Sequence, residues 1–247
     1  MLDFHTHLLP GIDDGSMDIS MSVAMLNMWR QQGVDIVCAT PHFYADVNTP
    51  GRFLENRRTS FLSLRAWLNS LPGGLAAYPE IFLGAEVHYF RGMSSSKDLR
   101  QLCLQGTNLL LIEMSFREWS DYMLRDIAEI HAMGLVPVMA HIERYLTYNT
   151  RKRIDELLEI GALLQCNAEF FLSQGTRKKA FRMLSDKQIH FLGSDAHNTS
   201  SRLPNMGEAV MLIKDRLGPE VLSEISRNEG FVIEARKIAA LKGVMFT

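Results

Sequence analysis

Seven short apolar runs, rich in Val, Ile and Leu, constrain this chain more than any other feature: Met1–Phe4, Val34–Ala39, Ile81–Ala85, Leu109–Met114, Val136–Ala140, Leu163–Cys166 and Ile189–Leu192. Each is near-continuously apolar rather than alternating, as strands covered on both faces are. Helical patterns separate most of them. These are Met17–Gln32, which stops at Gly33, Asn56–Leu71, which ends at Pro72-Gly73-Gly74, and then Trp119–Met133, Ile154–Ile160, Thr176–Leu184, Met206–Leu217 and Val221–Arg227. Alternation of strand and helix predicts a parallel sheet joined by right-handed crossovers. About seven such units predict an α/β fold that closes, or nearly closes, into a barrel. The 247 residues suffice for one large core and show no repeat, low-complexity tract or linker, so a single domain over residues 1–247 is expected. Thr40–Gly51 and Val87–Thr107 read as longer loops that line a site. The final segment, Gly230–Thr247, is expected to dock on the barrel or to mediate self-association.

Composition narrows the function classes. With 47% hydrophobic and 22% charged residues, nothing points to disorder. A net charge of -2 gives no general pull toward nucleic acid. No apolar run approaches the length of a membrane span. His5 and His7 occupy the place where the apolar segment of a signal peptide would lie, so a cytoplasmic protein is expected. The cysteines, Cys38, Cys103 and Cys166, are far apart and odd in number, which argues against a disulfide framework. A thiolate phosphatase needs an arginine six residues after its cysteine, and those positions hold Tyr44, Leu109 and Leu172. That mechanism is excluded.

Barrel sites lie at the C-terminal ends of the strands, so imidazoles and carboxylates that follow an apolar run gain weight. His5 and His7 follow Met1–Phe4, and His42 follows Val34–Ala39 through Thr40-Pro41. Glu86 follows Ile81–Ala85, Glu113 lies near the end of Leu109–Met114, and His141 follows Val136–Ala140. Asp195 and His197 follow the run that begins at Ile189. Asp14 sits in the turn Gly11-Ile12-Asp13-Asp14-Gly15, where Asp13 competes with it, since either could cap the helix beginning near Met17. These nine groups are too many for one tetrahedral zinc site. They suit two or three divalent ions that share bridging carboxylates, and nitrogen and oxygen ligands without thiolate favour Mn, Zn or Fe. No organic cofactor is expected. His88, His131 and His190 are the contrast set, expected to be structural, solvent-facing on a helix, and at the wrong end of a strand.

The stretches Asp3-Phe4-His5-Thr6-His7, Asp13-Asp14-Gly15, Pro41-His42, Gly84-Ala85-Glu86, Ile112-Glu113, Ala140-His141-Ile142-Glu143-Arg144-Tyr145 and Ser194-Asp195-Ala196-His197-Asn198 together resemble the PHP (polymerase and histidinol phosphatase) superfamily. More narrowly they resemble its bacterial manganese-dependent protein-tyrosine phosphatases of capsule and exopolysaccharide operons, over essentially the whole chain and in order. The resemblance implies a PHP fold, a distorted seven-stranded (β/α) barrel. It implies a trinuclear site with His5, His7, Asp14, His42, Glu86, Glu113, His141, Asp195 and His197 as ligands. Manganese is the implied metal, with Fe, Zn or Mg possible in its place. Arg144 matches the family's phosphate-stabilising arginine, and Arg202, in Asn198–Pro204, matches a second. A planar guanidinium suits that role because it pairs with two phosphoryl oxygens at once.

The reaction implied is phosphotyrosine hydrolysis by attack of a metal-bridged hydroxide. The implied partner is the phosphotyrosine tail of a bacterial tyrosine autokinase that controls polysaccharide export. Tyr44, Phe43, Tyr89 and Phe90 are candidates to stack on the phenyl ring, with core or loop packing as the alternative. The competing functions are a PHP phosphoesterase acting on histidinol phosphate or a nucleotide, and a non-catalytic module that binds phosphotyrosine. Amidohydrolases also open with His-x-His, but their bridging lysine has no counterpart here.

Overall fold

The apolar runs do become strands, and the chain bends two of them. The computed structural model describes residues 1–241. Within these the strands are β1 (Leu2–Thr6), β2 (Ile36–Ala39), β3 (His42–Phe43), β4 (Glu80–Leu83), β5 (Glu86–His88), β6 (Leu109–Glu113), β7 (Val136–Met139), β8 (Leu163–Asn167) and β9 (Phe191–Gly193). All pairings are parallel, in the orders β1-β2-β4 and β3-β5-β6-β7-β8-β9. Nine segments stand where seven runs are expected, because Thr40-Pro41 separates β2 from β3 and Gly84-Ala85 separates β4 from β5. Proline has no N–H to give a ladder, which favours the interruption at Pro41, although β7 carries Pro137 without a break. The ladder bends across both gaps rather than ending. Gly84 N donates to Ala39 O at 2.8 Å and Glu86 N to Pro41 O at 3.0 Å. The result is a curled parallel sheet. Its first and last strands approach each other, with Asp195 N donating to His5 O at 2.8 Å and His7 N to Ala196 O at 2.9 Å.

The helices are α1 (Ile19–Gln31), α2 (Pro50–Ser70), α3 (Leu99–Leu102), α4 (Asp121–Ala132), α5 (Arg151–Ile160), α6 (Glu169–Leu172), α7 (Arg177–Ser185), α8 (Met206–Leu217) and α9 (Ser223–Leu241). Asp18, Thr49, Ser120 and Thr150 cap α1, α2, α4 and α5, each accepting from the backbone N–H three residues on. The cap at Thr49 and the proline after it start α2 at Pro50, ahead of the expected Asn56. α9 runs on past the expected end at Arg227 and through Gly230. Burial of Val232 outweighs the roughly 1 kcal/mol that a helical glycine costs. Of the Gly230–Thr247 segment expected to dock or self-associate, residues 230–241 end α9, which docks on the sheet through Val232, and residues 242–247 lie outside the described residues.

Val87–Thr107 is not an open loop. It holds β5, a 3-10 turn at Met93–Ser95 and α3, and Asp126 of α4 pins it by accepting from Tyr89 Oη at 3.0 Å and Gly92 N at 2.9 Å.

Two apolar clusters hold the sheet. Leu2, Phe4, Ile36, Cys38, Phe82, Leu111, Val138 and Phe191 meet on one face, and Val232 of α9 joins them. Phe4 and Phe191 stack there with ring centroids 4.0 Å apart. On the other face Leu26, Trp29, Leu64, Ile127, Leu157 and Ile213 pack the helices against the strands.

Candidate metal centre

The nine candidate residues come together at the C-terminal ends of the strands. In a regular strand, neighbours point to opposite faces and residues two apart share one. Yet Phe4 packs in the inner cluster while the next residue, His5, reaches Gln165 and Glu86. The register of β1 against β2 slips between Asp3 and Thr6, and this bulge turns both side chains inward. His7 follows on the same side as His5, and their Nε2 atoms lie 3.2 Å apart. Gly193 makes room for them, since a Cβ there would stand 2.7 Å from His5 Cβ. Two further candidates adopt left-handed backbone, His141 at φ 33° and Asp195 at φ 53°. Each such residue costs about 1–3 kcal/mol and persists only where its surroundings enforce it.

Glu86 is the hub. Its Oε2 lies 3.2 Å from both His5 Nε2 and His7 Nε2 and 3.0 Å from His42 Nδ1, and its Oε1 lies 2.8 Å from His141 Nε2. Glu113 Oε1 is 3.5 Å from His141 Nε2. Asp195 Oδ1 is 3.8 Å from His5 Nε2, 3.5 Å from His7 Nε2 and 3.6 Å from His197 Nδ1. Asp14, the most exposed of the nine at 64%, lies 3.5 Å from His42 Nε2 and 3.4 Å from His197 Nε2. Among the described residues, three groupings have ligand atoms within 4.8 Å of one another: His7, Asp14, His42 and His197; His5, His7 and Glu86; and His42, Glu86 and Glu113.

The tautomers show that this set fits divalent metal. Gln165 Oε1 already accepts from His141 N at 2.7 Å, and it faces His5 Nδ1 at 3.1 Å. An amide oxygen only accepts, so His5 carries hydrogen on Nδ1 and, when neutral, a lone pair on Nε2. Asp13 Oδ2 lies 2.7 Å from His7 Nδ1 and directs the His7 lone pair the same way. His197 Nδ1 donates to the Asp195 carbonyl at 2.9 Å, which leaves its Nε2 bare. With the rings neutral, lone pairs thus converge on carboxylate oxygens, an arrangement that repels unless protons or metal cations lie between. His42 Nδ1, Glu86 Oε2, His141 Nδ1 and His197 Nε2 are buried without a hydrogen-bond partner, which buried polar atoms rarely are.

The protonation balance follows the same geometry. Burial opposes charge on His7, but Asp13 and Glu86 outweigh it and push the ring up to about 10. His141 rises to about 9, where Glu113 and Glu86 overcome burial. Burial would raise Glu113, yet the bonds from His141 and His88 hold it down to about 2. His197 falls to about 4 through burial and the neighbouring His7. Two half-exposed guanidinium groups close one side. Arg144 Nη2 bonds Asp195 Oδ2, and Arg202 Nη2 meets the same oxygen at 2.7 Å. Arg144 therefore does not pair with Glu143, whose Oε2 instead accepts from Asn167 N at 3.2 Å. Arg202 is fixed by its loop, in which Asn198 Oδ1 accepts from the N–H groups of Ser200, Ser201 and Arg202.

The family described as "Capsular polysaccharide synthesis, CpsB/CapC" matches residues 1–234. The chain belongs to the CpsB/CapC family. It is 29% identical over 249 residues to the tyrosine-protein phosphatase CpsB of Streptococcus pneumoniae, covering 96% of this chain and 98% of that protein. Its fold matches, at TM-score 0.79 and 24% identity, a chain from the crystal structures of YwqE from Bacillus subtilis and CpsB from Streptococcus pneumoniae, described as metal-dependent tyrosine phosphatases. That match covers 96% of this chain and 95% of the other. A more distant likeness in fold is to the histidinol phosphate phosphatase of Lactococcus lactis, at TM-score 0.51 and 15% identity, covering 87% and 92%.

Around the nine candidates, this CpsB/CapC chain has residues that sequence reasoning misses or misplaces. Neither Asp13 nor Asp14 caps α1, because Asp18 does. Asp13 orients His7 and also accepts from His42 N at 3.0 Å. Gln165 and Asn167 form a chain to the site, with Gln165 Nε2 donating to Asn167 Oδ1 at 3.0 Å and Asn167 Nδ2 to Asp195 Oδ2 at 3.0 Å. Their signal was present, since polar residues two apart in a covered strand need partners. Asp3, fully buried, accepts from Trp29 Nε1 at 2.7 Å and Ser194 N at 2.8 Å and so ties β1 to α1 and to the turn before Asp195.

Of the contrast histidines, His131 is exposed and His190 takes Leu164 N at 3.1 Å before β9. His88 borders the site, with Nδ1 3.0 Å from Glu113 Oε2. The three cysteines are free and buried, and burial raises their thiols, Cys103 to about 12.

Proposed function

We propose that this protein is a metal-dependent protein-tyrosine phosphatase. His5, His7, Asp14, His42, Glu86, Glu113, His141, Asp195 and His197 hold three divalent ions, with manganese the preferred metal. The observation that carries this is the convergence of His5 and His7 Nε2 on Glu86 Oε2, at 3.2 Å each, beside buried polar atoms that lack hydrogen-bond partners. Ions held there supply an acidic water and offset charge on the phosphoryl oxygens.

The chain's own residues do the rest. Asp13, Gln165 and the Asp195 carbonyl hold three imidazoles in the tautomer that presents Nε2. Arg144 and Arg202, now sharing Asp195 Oδ2, turn to the richer acceptor when a phosphoryl group arrives and steady its spreading charge. Phenolate is a good enough leaving group to need little help from a general acid.

We count β2 with β3, and β4 with β5, as one bent strand each, which gives a distorted seven-stranded barrel in a single domain. The family's link to capsular polysaccharide synthesis supports a substrate on the phosphotyrosine tail of a tyrosine autokinase controlling polysaccharide export, met in the cytoplasm. Among the described residues no helix is long and apolar enough to cross a membrane.

The test is release of phosphate from a phosphotyrosine peptide and from histidinol phosphate with added manganese, before and after His5→Ala or Asp195→Ala. We expect the peptide to be preferred and each variant to lose at least about a hundredfold, since even an outer partner of a metal ligand is worth about 10- to 100-fold. Undiminished variants would sink the metal assignment, and a preference for histidinol phosphate would sink the phosphotyrosine one.

A further inference from the structure

We propose that Phe116 and Tyr44 form an aromatic rim that grips the phenyl ring of the substrate and selects aryl over alkyl phosphomonoesters; this rests on the phosphatase function proposed above.

Four aromatics near strand ends are candidates in sequence, and the fold removes three of them. Phe43 and Tyr89 are buried in the core, and Phe90 packs against it. Only Tyr44 stays at the site. Its ring lies 5.2 Å from the His42 ring and 5.4 Å from that of His88.

The second ring is one that the sequence does not single out. Phe116 follows β6 and is 49% exposed. One face of it is covered, by His141 at 6.3 Å and 19° between planes and by Tyr145 at 5.5 Å and 26°. Tyr145 is buried and anchors the start of this loop, since Met114 N donates to its Oη at 2.9 Å. An apolar ring held nearly parallel above a candidate ligand histidine, with its other side in solvent, is expensive to expose and is placed where a second ring would cover it.

The two rings stand on either side of Glu113. One oxygen of Glu113 meets His88, which touches Tyr44, and the other meets His141, which Phe116 covers. Arg144 and Arg202 lie instead at Asp195. The ligand atoms are buried below: His5 is 0%, Glu86 1% and Asp195 3% exposed. A phosphoryl group that reaches them on the Glu113 side passes this rim. Phosphotyrosine carries its phosphate at the tip of a rigid ring, so the ring lies between the rim aromatics while the phosphate is seated. An aliphatic ester has no flat ring beside its phosphate and offers the rim no face.

The experiment compares kcat/KM for a phosphotyrosine peptide and for glycerol 2-phosphate, using the full chain loaded with manganese, in wild type, Phe116→Ala, Tyr44→Ala and Phe116→Trp. Loss of one aromatic contact is expected to lower the aryl-to-alkyl ratio about two- to tenfold, mostly through KM for the peptide. Phe116→Trp is expected to restore it, and bound manganese per chain to stay constant. The proposal is overturned if the ratio does not move in Phe116→Ala. It is also overturned if both substrates slow in step as metal is lost, which would make Phe116 only a cover for His141. A wild type that cleaves glycerol 2-phosphate but not the peptide refutes the phosphotyrosine assignment itself, and that is read before any variant is made.

Discussion

Asp13→Asn separates the two neighbouring carboxylates of the Gly11–Gly15 turn. Asp13 Oδ2 lies 2.7 Å from His7 Nδ1 and accepts from His42 N at 3.0 Å, while its Oδ1 accepts from Gly15 N at 3.0 Å. Burial alone would raise the Asp13 carboxyl, but the bond to His7 outweighs it and holds it down to about 2. An amide has one acceptor where the carboxylate has two. If its oxygen faces His7 and His42, its NH2 confronts the Gly15 N–H. If it is flipped, the NH2 faces His7 Nδ1 and drives the ring hydrogen to Nε2, the atom aimed at Glu86. In the first case His7 keeps its tautomer but loses the charged acceptor, and the turn loses its bond to Gly15; in the second the lone pair leaves the metal side altogether. Outer partners of this kind are worth about 10- to 100-fold in metal affinity, or about 1.4–2.8 kcal/mol. The assay strips the protein with chelator and titrates manganese, following both bound metal and phosphate release. The midpoint should move by that factor, while the rate at saturating metal largely recovers. Asp14→Asn, which removes an oxygen 3.5 Å from His42 Nε2 and 3.4 Å from His197 Nε2, should lower the saturated rate as well. An unmoved midpoint for Asp13→Asn, or a saturated rate as low as that of Asp14→Asn, would refute the division of labour.

Three further outcomes follow from the same contacts. His7 stands at about 10 in the metal-free chain, above its ordinary 6.5. Its proton therefore stabilises that form fully below pH 6.5 and ceases to do so as the pH rises through about 10. Manganese must displace the proton, so across this window its affinity should climb by up to about tenfold per pH unit, and a flat series of titrations would contradict the pairing with Asp13. Trp29→Phe removes the 2.7 Å donor to the buried Asp3 carboxylate. It should cost about 1.5–3 kcal/mol in urea unfolding of the chelated protein; a loss within error would mean that Ser194 and His5 N satisfy Asp3 without it. Gly193→Ala puts a methyl 2.7 Å from His5 Cβ and 2.9 Å from His5 N, so β1 must shift. Metal per chain should fall while the circular dichroism keeps its helical signal, and full metal retention would show that the approach of β9 to β1 is looser than it looks.

What was legible in the sequence follows a physical division. Buried parallel strands must be apolar along their length, so the runs announced themselves, and residues at their C-terminal ends announced the site. Less legible were the features that decide which way a residue faces. The bends at Pro41 and Gly84 set His42 and Glu86 on short strands of their own, and the bulge in β1 turns Phe4 and His5 to one side. These depend on pairing with distant strands, and local period carries no trace of them. The same limit hid Phe116, which lies in an aperiodic loop and gains meaning only from the His141 ring beneath it. It also blurred Asp13 and Asp14, which are chemically equal until the fold aims one at an imidazole Nδ1 and leaves the other 64% exposed.

The strain at the site is consistent with this division. His141 and Asp195 hold left-handed backbone at about 1–3 kcal/mol each, and Gly193 gives up a side chain so that His5 has room. Stability alone would select against all three. Below them the Phe4–Phe191 stack makes an apolar floor from the residue just before His5 and the one two before Gly193. The strand ends can carry that cost because the interior beneath them is packed, and for this reason the ligand positions are legible in sequence while the contacts that orient them are not.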